Sequence, residues 1–193
     1  MNANVGMVYP VAAAVDEYTP GTSIEYETGT NFTEAIGASV SWNRADGHFF
    51  ADDAEIDSDN GVLGYTISFE ASGLKDADRA LLLGEEPATS DYDITDAPAP
   101  DIGFGYIRVM RDKGTLSYDA WWYYKLKFGI GSEETRTKEN SIEWRTPTLE
   151  GIGAGISLDN TGKLKFASHR SFETLAAAKA WLNSKAGITA ATT

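Results

Sequence analysis

An acidic run in the first third of the chain carries the residues best suited to bind a cation. It contains five carboxylates, namely Asp52, Asp53, Glu55, Asp57 and Asp59. A calcium loop of the EF-hand type needs glycine at its sixth position and glutamate at its twelfth. Counting from Asp53 places Ser58 sixth, and counting from Glu55 places Asn60 sixth, so the pattern fails. We interpret the run as a solvated acidic loop, with an irregular cation site as the alternative.

Residues for catalysis are sparse. His48 and His169 are the two histidines, and neither lies in a G-x-S-x-G setting. Gly103 and Gly105 resemble part of a nucleotide-binding loop, but the third glycine is missing and a strand pattern continues. The chain has no cysteine, which excludes a thiol nucleophile, thiolate metal sites and disulfides. The sequence predicts no catalytic centre, no bound metal and no cofactor, and therefore not an enzyme.

An aromatic run in the middle of the chain has the clearest alternation. Over residues 115–130 one predicted face carries Leu116, Tyr118, Ala120, Trp122, Tyr124, Leu126 and Phe128. The other face carries Trp121, Tyr123, Lys125 and Lys127, which indicates cover by a partner or a loop. The alternative is an inner sandwich face with exposed aromatic residues on its back. A second functional class follows from the run, because four adjacent rings could stack against a sugar in a carbohydrate-binding module.

The elements that position these residues are predicted to be mostly strands. Alternation indicates strands over residues 22–28, 34–43, 62–70, 102–111, 115–130, 141–146 and 162–167. Helices are predicted over 72–83, capped by Ser72 and ended by Gly84, and over 171–186, capped by Ser171. Residues 1–20 read as an arm or irregular lead-in, 46–60 and 85–101 as loops, and 187–193 as a flexible tail. We predict one domain over 21–186, a β-sandwich or partly closed barrel with two short flanking helices.

Charge is divided unevenly along the chain. The net charge is −13. Residues 1–101 hold 20 Asp and Glu against 3 Lys and Arg, whereas residues 102–193 hold 9 against 13. The acidic half disfavours nucleic-acid binding, while the asymmetry favours head-to-tail association of copies. Solubility alone is the simpler interpretation. No apolar run approaches the ~20 residues of a membrane helix, so no membrane partner is expected.

Several segments, in order, resemble the major tail proteins of siphophages. They are FFADDAEID at 49–57, GYTISFEASGLKDADRALLLG at 64–84, DAPAPDIGFGYIRVMRDKG at 96–114, WWYYKLKF at 121–128, IEWRTPTLEG at 142–151 and FETLAAAKAWL at 172–182. The resemblance covers about residues 20–185. Each motif alone is weak, and the ordered set is more specific. The Ala-rich start and the last residues depart from the family pattern.

The resemblance implies a structural virion protein of the phage tail, assembled in the host cytoplasm. In that family, hexameric rings stack into a tube, and neighbouring subunits pool their strands into one barrel around the lumen. Double-stranded DNA passes through without specific binding, so a polar, acidic lumen is expected. The implied partners are further copies of the chain and other tail proteins, namely the tape measure, the tail terminator and the baseplate or tip.

The candidate contacts between subunits follow from the charge asymmetry and from the aromatic face of residues 115–130. The acidic loop at 46–60 is expected to meet a basic patch on the next ring, although the same acids are alternatively placed in the lumen. The candidates are Asp46, Phe49, Phe50, Asp52, Asp53, Glu55, Asp57, Asp59, Trp121, Tyr123, Arg136, Lys138, Lys163 and Lys165.

Overall fold

The computed structural model describes residues 3–32, 35–51, 54–71, 74–87, 92–94, 96, 98–132 and 146–189. The strands are β1 Ala3–Thr19, β2 Ser23–Tyr26, β3 Thr30–Asn31, β4 Ala35–Arg44, β5 Gly47–Ala51, β6 Ala54–Asp59, β7 Val62–Ala71, β8 Glu86–Pro87, β9 Tyr92–Asp93, β10 Ile102–Asp112, β11 Thr115–Ser132, β12 Thr148–Ala154, β13 Ile156–Ser157, β14 Leu164–Lys165 and β15 Ala167–Phe172. The helices are α1 Asp76–Leu83 and α2 Leu175–Lys185. The prediction of a mainly β chain with two helices is confirmed.

One large antiparallel sheet organises the chain. Its main path runs β2-β1-β10-β11-β12-β7-β4, while β15 pairs with β11 and β3 pairs with β1. The sheet is open, with β2 and β4 at its two ends, so it is not a closed barrel. The 18-residue strand β11 pairs with β15 along residues 118–123 and with β12 along residues 126–132. It therefore belongs to two halves of the sheet.

The two halves face each other across an aromatic core. We name β2, β1, β10, residues 115–123 of β11, and β15 the helix-side half. Residues 126–132 of β11 together with β12, β7 and β4 form the open half. Phe104 of the helix-side half lies 5.2 Å from Phe69 of the open half, measured between ring centroids, and Tyr123 lies 5.2 Å from Tyr65. Such ring pairs add stability beyond the area they bury.

The second helix covers the outer surface of the helix-side half. Ala178, Leu182 and Ala186 are buried there against Trp122 and Ile107. This close approach requires glycine at position 105 of β10, since a Cβ atom there would lie 2.9 Å from the Leu182 Cδ2 atom. Strand β10 is consequently buried on both of its faces.

The irregular lead-in predicted over residues 1–20 is wrong, because most of it forms β1. Val11 and Ala13 face the core beneath α2, whereas Ala12 faces the core between the halves. A strand buried on both faces has no reason to alternate polar with apolar residues. The small residues of β1 therefore do not alternate between polar and apolar types, and the sequence pattern does not predict a strand there.

Both predicted helices begin later than their capping signals indicated. Helix α1 starts at Asp76 behind Lys75, and its end at Gly84 is as predicted, with φ of 73°. Helix α2 starts after Thr174, whose Oγ1 accepts a hydrogen bond from the Ala177 N–H at 3.3 Å. Residues 171 and 172, predicted as the start of this helix, belong instead to strand β15, which pairs with β11. Neither described helix has the length and apolar composition needed to cross a bilayer.

The loop predicted over 46–60 is a hairpin, formed by β5 and β6. The pair Asn60-Gly61 joins β6 to β7. The Ala45 N–H donates to the Gly61 carbonyl at 2.8 Å, which carries the pairing of β4 and β7 onward into the hairpin. The predicted strand at 141–146, apart from Thr146, lies outside the described residues.

Candidate functional site

A bulge in β11 marks the boundary between the two halves. Phe104 pairs with Tyr123 and Ile102 pairs with Leu126, so Tyr124 and Lys125 both lie opposite Gly103. One extra residue moves all later side chains to the opposite face. Trp122 therefore lies in the core beneath α2, whereas Leu126 and Phe128 lie in the core between the halves. The unbroken alternation predicted for 115–130 is wrong at this point.

Two tyrosine hydroxyls bind the backbone of this bulge from opposite faces. The Tyr26 hydroxyl donates to the Tyr124 carbonyl at 2.7 Å, and the Tyr65 hydroxyl donates to the Lys125 carbonyl at 3.0 Å. The Trp122 indole N–H donates in turn to the Tyr26 hydroxyl at 3.3 Å. Burial raises the pKa of both Tyr26 and Tyr65 above the usual range. The bulge is thus held by neutral tyrosines.

These tyrosines predict a loss of stability in alkaline solution. Their pKa values are higher in the folded chain than in the unfolded chain, where tyrosine titrates near pH ~10. Their contribution is therefore complete below pH ~10 and decreases as the pH rises above it. We expect the urea midpoint to fall between pH 9 and pH 11.5. A Tyr26→Phe/Tyr65→Phe chain should start about 2 kcal/mol less stable and lose less over the same interval. An equal loss in both chains would contradict this assignment.

The open half presents a polar surface, which we name the open face. Its outward side chains are Ser39, Ser41 and Asn43 of β4, Thr66, Ser68 and Glu70 of β7, Glu150, Ile152 and Ala154 of β12, and Lys125 and Lys127 of β11. Those of β4 and β12 are exposed, so no described element covers them. Small polar side chains on an uncovered sheet are typical of a surface in contact with water.

The charges of the open face are balanced. Lys125 Nζ lies 3.1 Å from Asp101 Oδ2, and Lys127 Nζ lies 3.9 Å from Asp101 Oδ1. Glu70 and Glu150 supply the acidic side chains of the same face. The arrangement offers neither a dense basic patch for phosphates nor a dense acidic one. Among the described residues, no cluster of His, Asp and Glu could hold a metal ion.

Both edges of the open half lack a strand partner within the described residues. Strand β4 pairs with β7 along one edge and ends the sheet at the other. Residues 127–132 of β11 pair with β12 only, because β10 starts opposite Leu126. Unpaired N–H and C=O groups on long edges are templates for pairing with another chain. The spacing of residue types could not reveal these edges, since they depend on which strands become neighbours.

The candidates from the predicted loop at 46–60, two phenylalanines among them, lie on the β5–β6 hairpin or beside it. Phe49, Phe50, Glu55, Asp57 and Asp59 lie in the two strands, of which the structure describes the backbone. Asp46 is exposed at the hairpin's base. The two strands pair with each other, and neither has another strand partner in the described part of the chain. Asp52, Asp53, Arg136 and Lys138 lie outside the described residues.

The aromatic candidates are occupied by contacts within the chain. Trp121 stacks on His169 at 4.5 Å between ring centroids, and the Arg108 guanidinium lies 4.6 Å from the Trp121 ring. Tyr123 is fully buried and stacks on Tyr106. Trp122 is also fully buried. The run therefore does not form an exposed platform of four rings, and Tyr123 does not reach the surface in this conformation.

The two described basic candidates lie near the β13–β14 pair. Lys163 is exposed. Lys165 Nζ donates to Asp159 Oδ2 at 2.7 Å, so a carboxylate of another copy has to share or replace an existing partner. That hydrogen bond, with those from Thr161, lowers the pKa of Asp159 to about 2.

No protein-family model matches the chain, and no curated protein matches its sequence. The function is therefore inferred from the geometry of the sheet, together with the ordered motifs in the sequence.

Proposed function

We propose that the chain is a structural protein whose copies join edge to edge into rings, and that these rings stack into a tube, as in the siphophage major tail proteins that the sequence resembles. The observation that carries the proposal is a pair of edges on the open half that have no strand partner among the residues the structure describes, β4 at one side and residues 127–132 of β11 at the other. Pairing them between copies removes both exposed edges.

Strand direction is compatible with this pairing. Each of the steps from β11 to β12, β7 and β4 is antiparallel, so β4 runs opposite to β11. Copies related by rotation about one axis all point the same way. The β4 strand of one copy can then meet β11 of the next in the antiparallel sense already used throughout the sheet.

The size of such a barrel suits a conduit for DNA. Six copies, the number that the resemblance implies, supply about 24 strands. With strands about 4.8 Å apart and tilted by about 40°, the barrel is about 50 Å across at the backbone. The open face lines the lumen in this arrangement. Its small polar side chains and balanced charges would give phosphates no strong attachment, although the face is less acidic than the resemblance implies.

The ring-to-ring contact is assigned to the β5–β6 hairpin. It carries acidic residues and has no further strand partner among the described elements. Replacing Asp52, Asp53 and Asp57 together by lysine tests this part separately. We expect rings to form while tubes shorten, as seen by electron microscopy. Tubes of unchanged length would remove the hairpin from the contact.

The carbohydrate-binding alternative has weaker support. It requires exposed rings, and Trp122 and Tyr123 are fully buried. A glycan-array signal from a protein that stays monomeric would nevertheless favour it over assembly.

The absence of cysteine allows a direct test of edge pairing. We place Ser41→Cys on β4 and Gly129→Cys on β11 in one chain, with Ser39→Cys and Asn43→Cys as alternatives that cover other registers. Within a chain the two strands are about 14 Å apart, too far for a disulfide. Oxidation is therefore expected to give a ladder of covalent oligomers that ends at a closed ring.

The matched control carries one exposed cysteine on α2, Ala176→Cys. It should give no ladder beyond dimers. Negative-stain electron microscopy of the unmodified protein, concentrated at several salt levels, should show rings or hollow tubes. A chain that stays monomeric under all these conditions and forms no ladder would contradict the proposal.

A further inference from the structure

The junction between the β5–β6 hairpin and β7 carries two residue types that can react with each other. Asn60-Gly61 is the only asparagine–glycine pair in the chain. It lies outside both strands, because β6 ends at Asp59 and β7 begins at Val62, and Asn60 is exposed. Glycine has no Cβ atom and rotates easily about its backbone bonds. The side-chain amide carbon of Asn60 is therefore followed by a backbone nitrogen that no side chain of its own residue shields.

A guanidinium group polarises this amide. The Arg44 Nη1 atom donates to the Asn60 Oδ1 atom at 3.5 Å. A positively charged donor stabilises the negative charge that a carbonyl oxygen gains when a nucleophile attacks its carbon. Both residues are exposed, so water screens the effect without changing its direction. The same contact places a cation beside any carboxylate that forms at position 60.

We propose that Asn60 is a site of spontaneous deamidation through a cyclic imide with Gly61. The Gly61 nitrogen bonds to the Asn60 Cγ atom, the bond from Cγ to Nδ2 breaks, and the amide proton of Gly61 leaves with Nδ2 as ammonia. Water then opens the imide. Opening at Cγ leaves an aspartate in the normal chain, whereas opening at the backbone carbonyl leaves an isoaspartyl linkage through the side chain. Either product adds one negative charge to a net charge of −13.

A second reactive pair lies beside this junction and gives a different product. Asp46-Gly47 enters the hairpin, and Gly47 pairs with Asp59 next to Asn60. This pair can form the same kind of imide, but it loses water and then regains it. Its reaction changes neither the mass nor the net charge of the chain. A gain of mass and negative charge at the hairpin base therefore reports on Asn60.

Peptide mass spectrometry of protein incubated in the folded state tests the proposal. We expect a gain of one mass unit at Asn60, at least about tenfold faster than at the exposed Asn43 and Asn160, which precede residues with side chains. The rate should rise from pH 7 to pH 9, because the attacking nitrogen must lose its proton. Equal rates at the three asparagines would overturn the proposal.

Two variants and a reference state isolate the reaction. Asn60→Gln should show no comparable gain, because its longer side chain closes a ring much more slowly, and Gly61→Ala should slow the gain by hindering the nitrogen. Urea unfolding checks that both variants remain folded. The unmodified chain unfolded in urea gives the rate without any protection by the fold. A folded rate that is negligible beside it would show that the fold shields the junction, and would also overturn the proposal.

The modification has a consequence for assembly, which rests on the proposed function. The β5–β6 hairpin is assigned to the ring-to-ring contact, and an isoaspartyl linkage adds one carbon atom to the backbone at its base. Incubated protein is therefore expected to form shorter tubes than Asn60→Gln incubated in parallel. The matched control is Asn60→Asp, which carries the charge without the extra atom and should form tubes of normal length.

The two levels of the test remain separate. Tubes of equal length from incubated protein and from Asn60→Gln would remove the consequence for assembly. The mass gain at Asn60 is measured on unassembled protein, so it decides the modification whether or not the chain forms rings. A protein that gains mass at Asn60 but never assembles would contradict the proposed function and leave the modification site in place.

Discussion

Replacing Arg79 by alanine is expected to lower the free energy of unfolding by about 2–4 kcal/mol. Arg79 Nη2 lies 2.6 Å from Glu85 Oε1, and Nε lies 2.9 Å from Oε2. The Glu85 side chain is 5% exposed, so its carboxylate would remain buried without its bidentate partner. The range extends down to the smaller loss because the Arg79 side chain is 25% exposed, so water already weakens its attraction to Glu85.

Urea unfolding at pH 7 measures this loss, at a protein concentration where sedimentation shows monomers. The matched control is Lys165→Ala, which breaks the exposed pair with Asp159 and should change little. An Arg79→Met/Glu85→Met chain removes both charges and should recover part of the stability lost by Arg79→Ala. Equal losses for Arg79→Ala and Lys165→Ala would show that burial of the carboxylate carries no penalty.

Replacing Gly153 by alanine is expected to cost about 1–3 kcal/mol. The new Cβ atom would meet the ring of Tyr65, which packs directly over this glycine. Tyr65 is fully buried among aromatic neighbours, so its ring cannot yield without moving Tyr123 or Phe166. The same ring carries the hydroxyl that binds the Lys125 carbonyl, and displacement would release one side of the β11 bulge.

Two variants separate overpacking from the general effect of adding a methyl group. Gly129→Ala lies on β11 where a Cβ meets nothing within 4 Å, and it should be neutral or slightly stabilising. Gly153→Ala combined with Tyr65→Leu should cost less than the sum of the two single changes, because the smaller side chain leaves room for the methyl group. Additive losses would mean that Tyr65 does not restrict Gly153.

The strands that sequence reasoning predicted well are those with one face in the core. Strand β7 was predicted over 62–70 and is observed over Val62–Ala71, with Tyr65, Ile67 and Phe69 buried, and β4 was predicted within one residue of its observed bounds. The two strands of the β10–β11 hairpin were also predicted, over 102–111 and 115–130. Its turn uses Lys113 and Gly114, both with positive φ. Local chemistry decides such features, so residue types are sufficient to predict them.

Features buried on both faces escaped the same reasoning. Strand β1 lacks alternation because Val11 and Ala12 face different cores. The start of α2 was placed too early because Ser171 has the side chain of a helix cap. In the folded chain, residue 171 pairs with Asp119 in the sheet instead. Pairing between distant segments outweighed local propensity in both places.

The sequence by itself determined the mainly β character, the two helices, the lack of cysteine chemistry and the acidic first half, because these depend on residue type and local period. Only the tertiary structure decided where β11 changes face, since the bulge depends on Gly103 lying opposite two residues and on Tyr26 and Tyr65 reaching their carbonyls. The tertiary structure likewise decided which edges of the open half lack a strand partner in the described part of the chain. An edge is defined by the neighbour that a strand lacks, and neighbours arise from pairings between residues far apart in the chain.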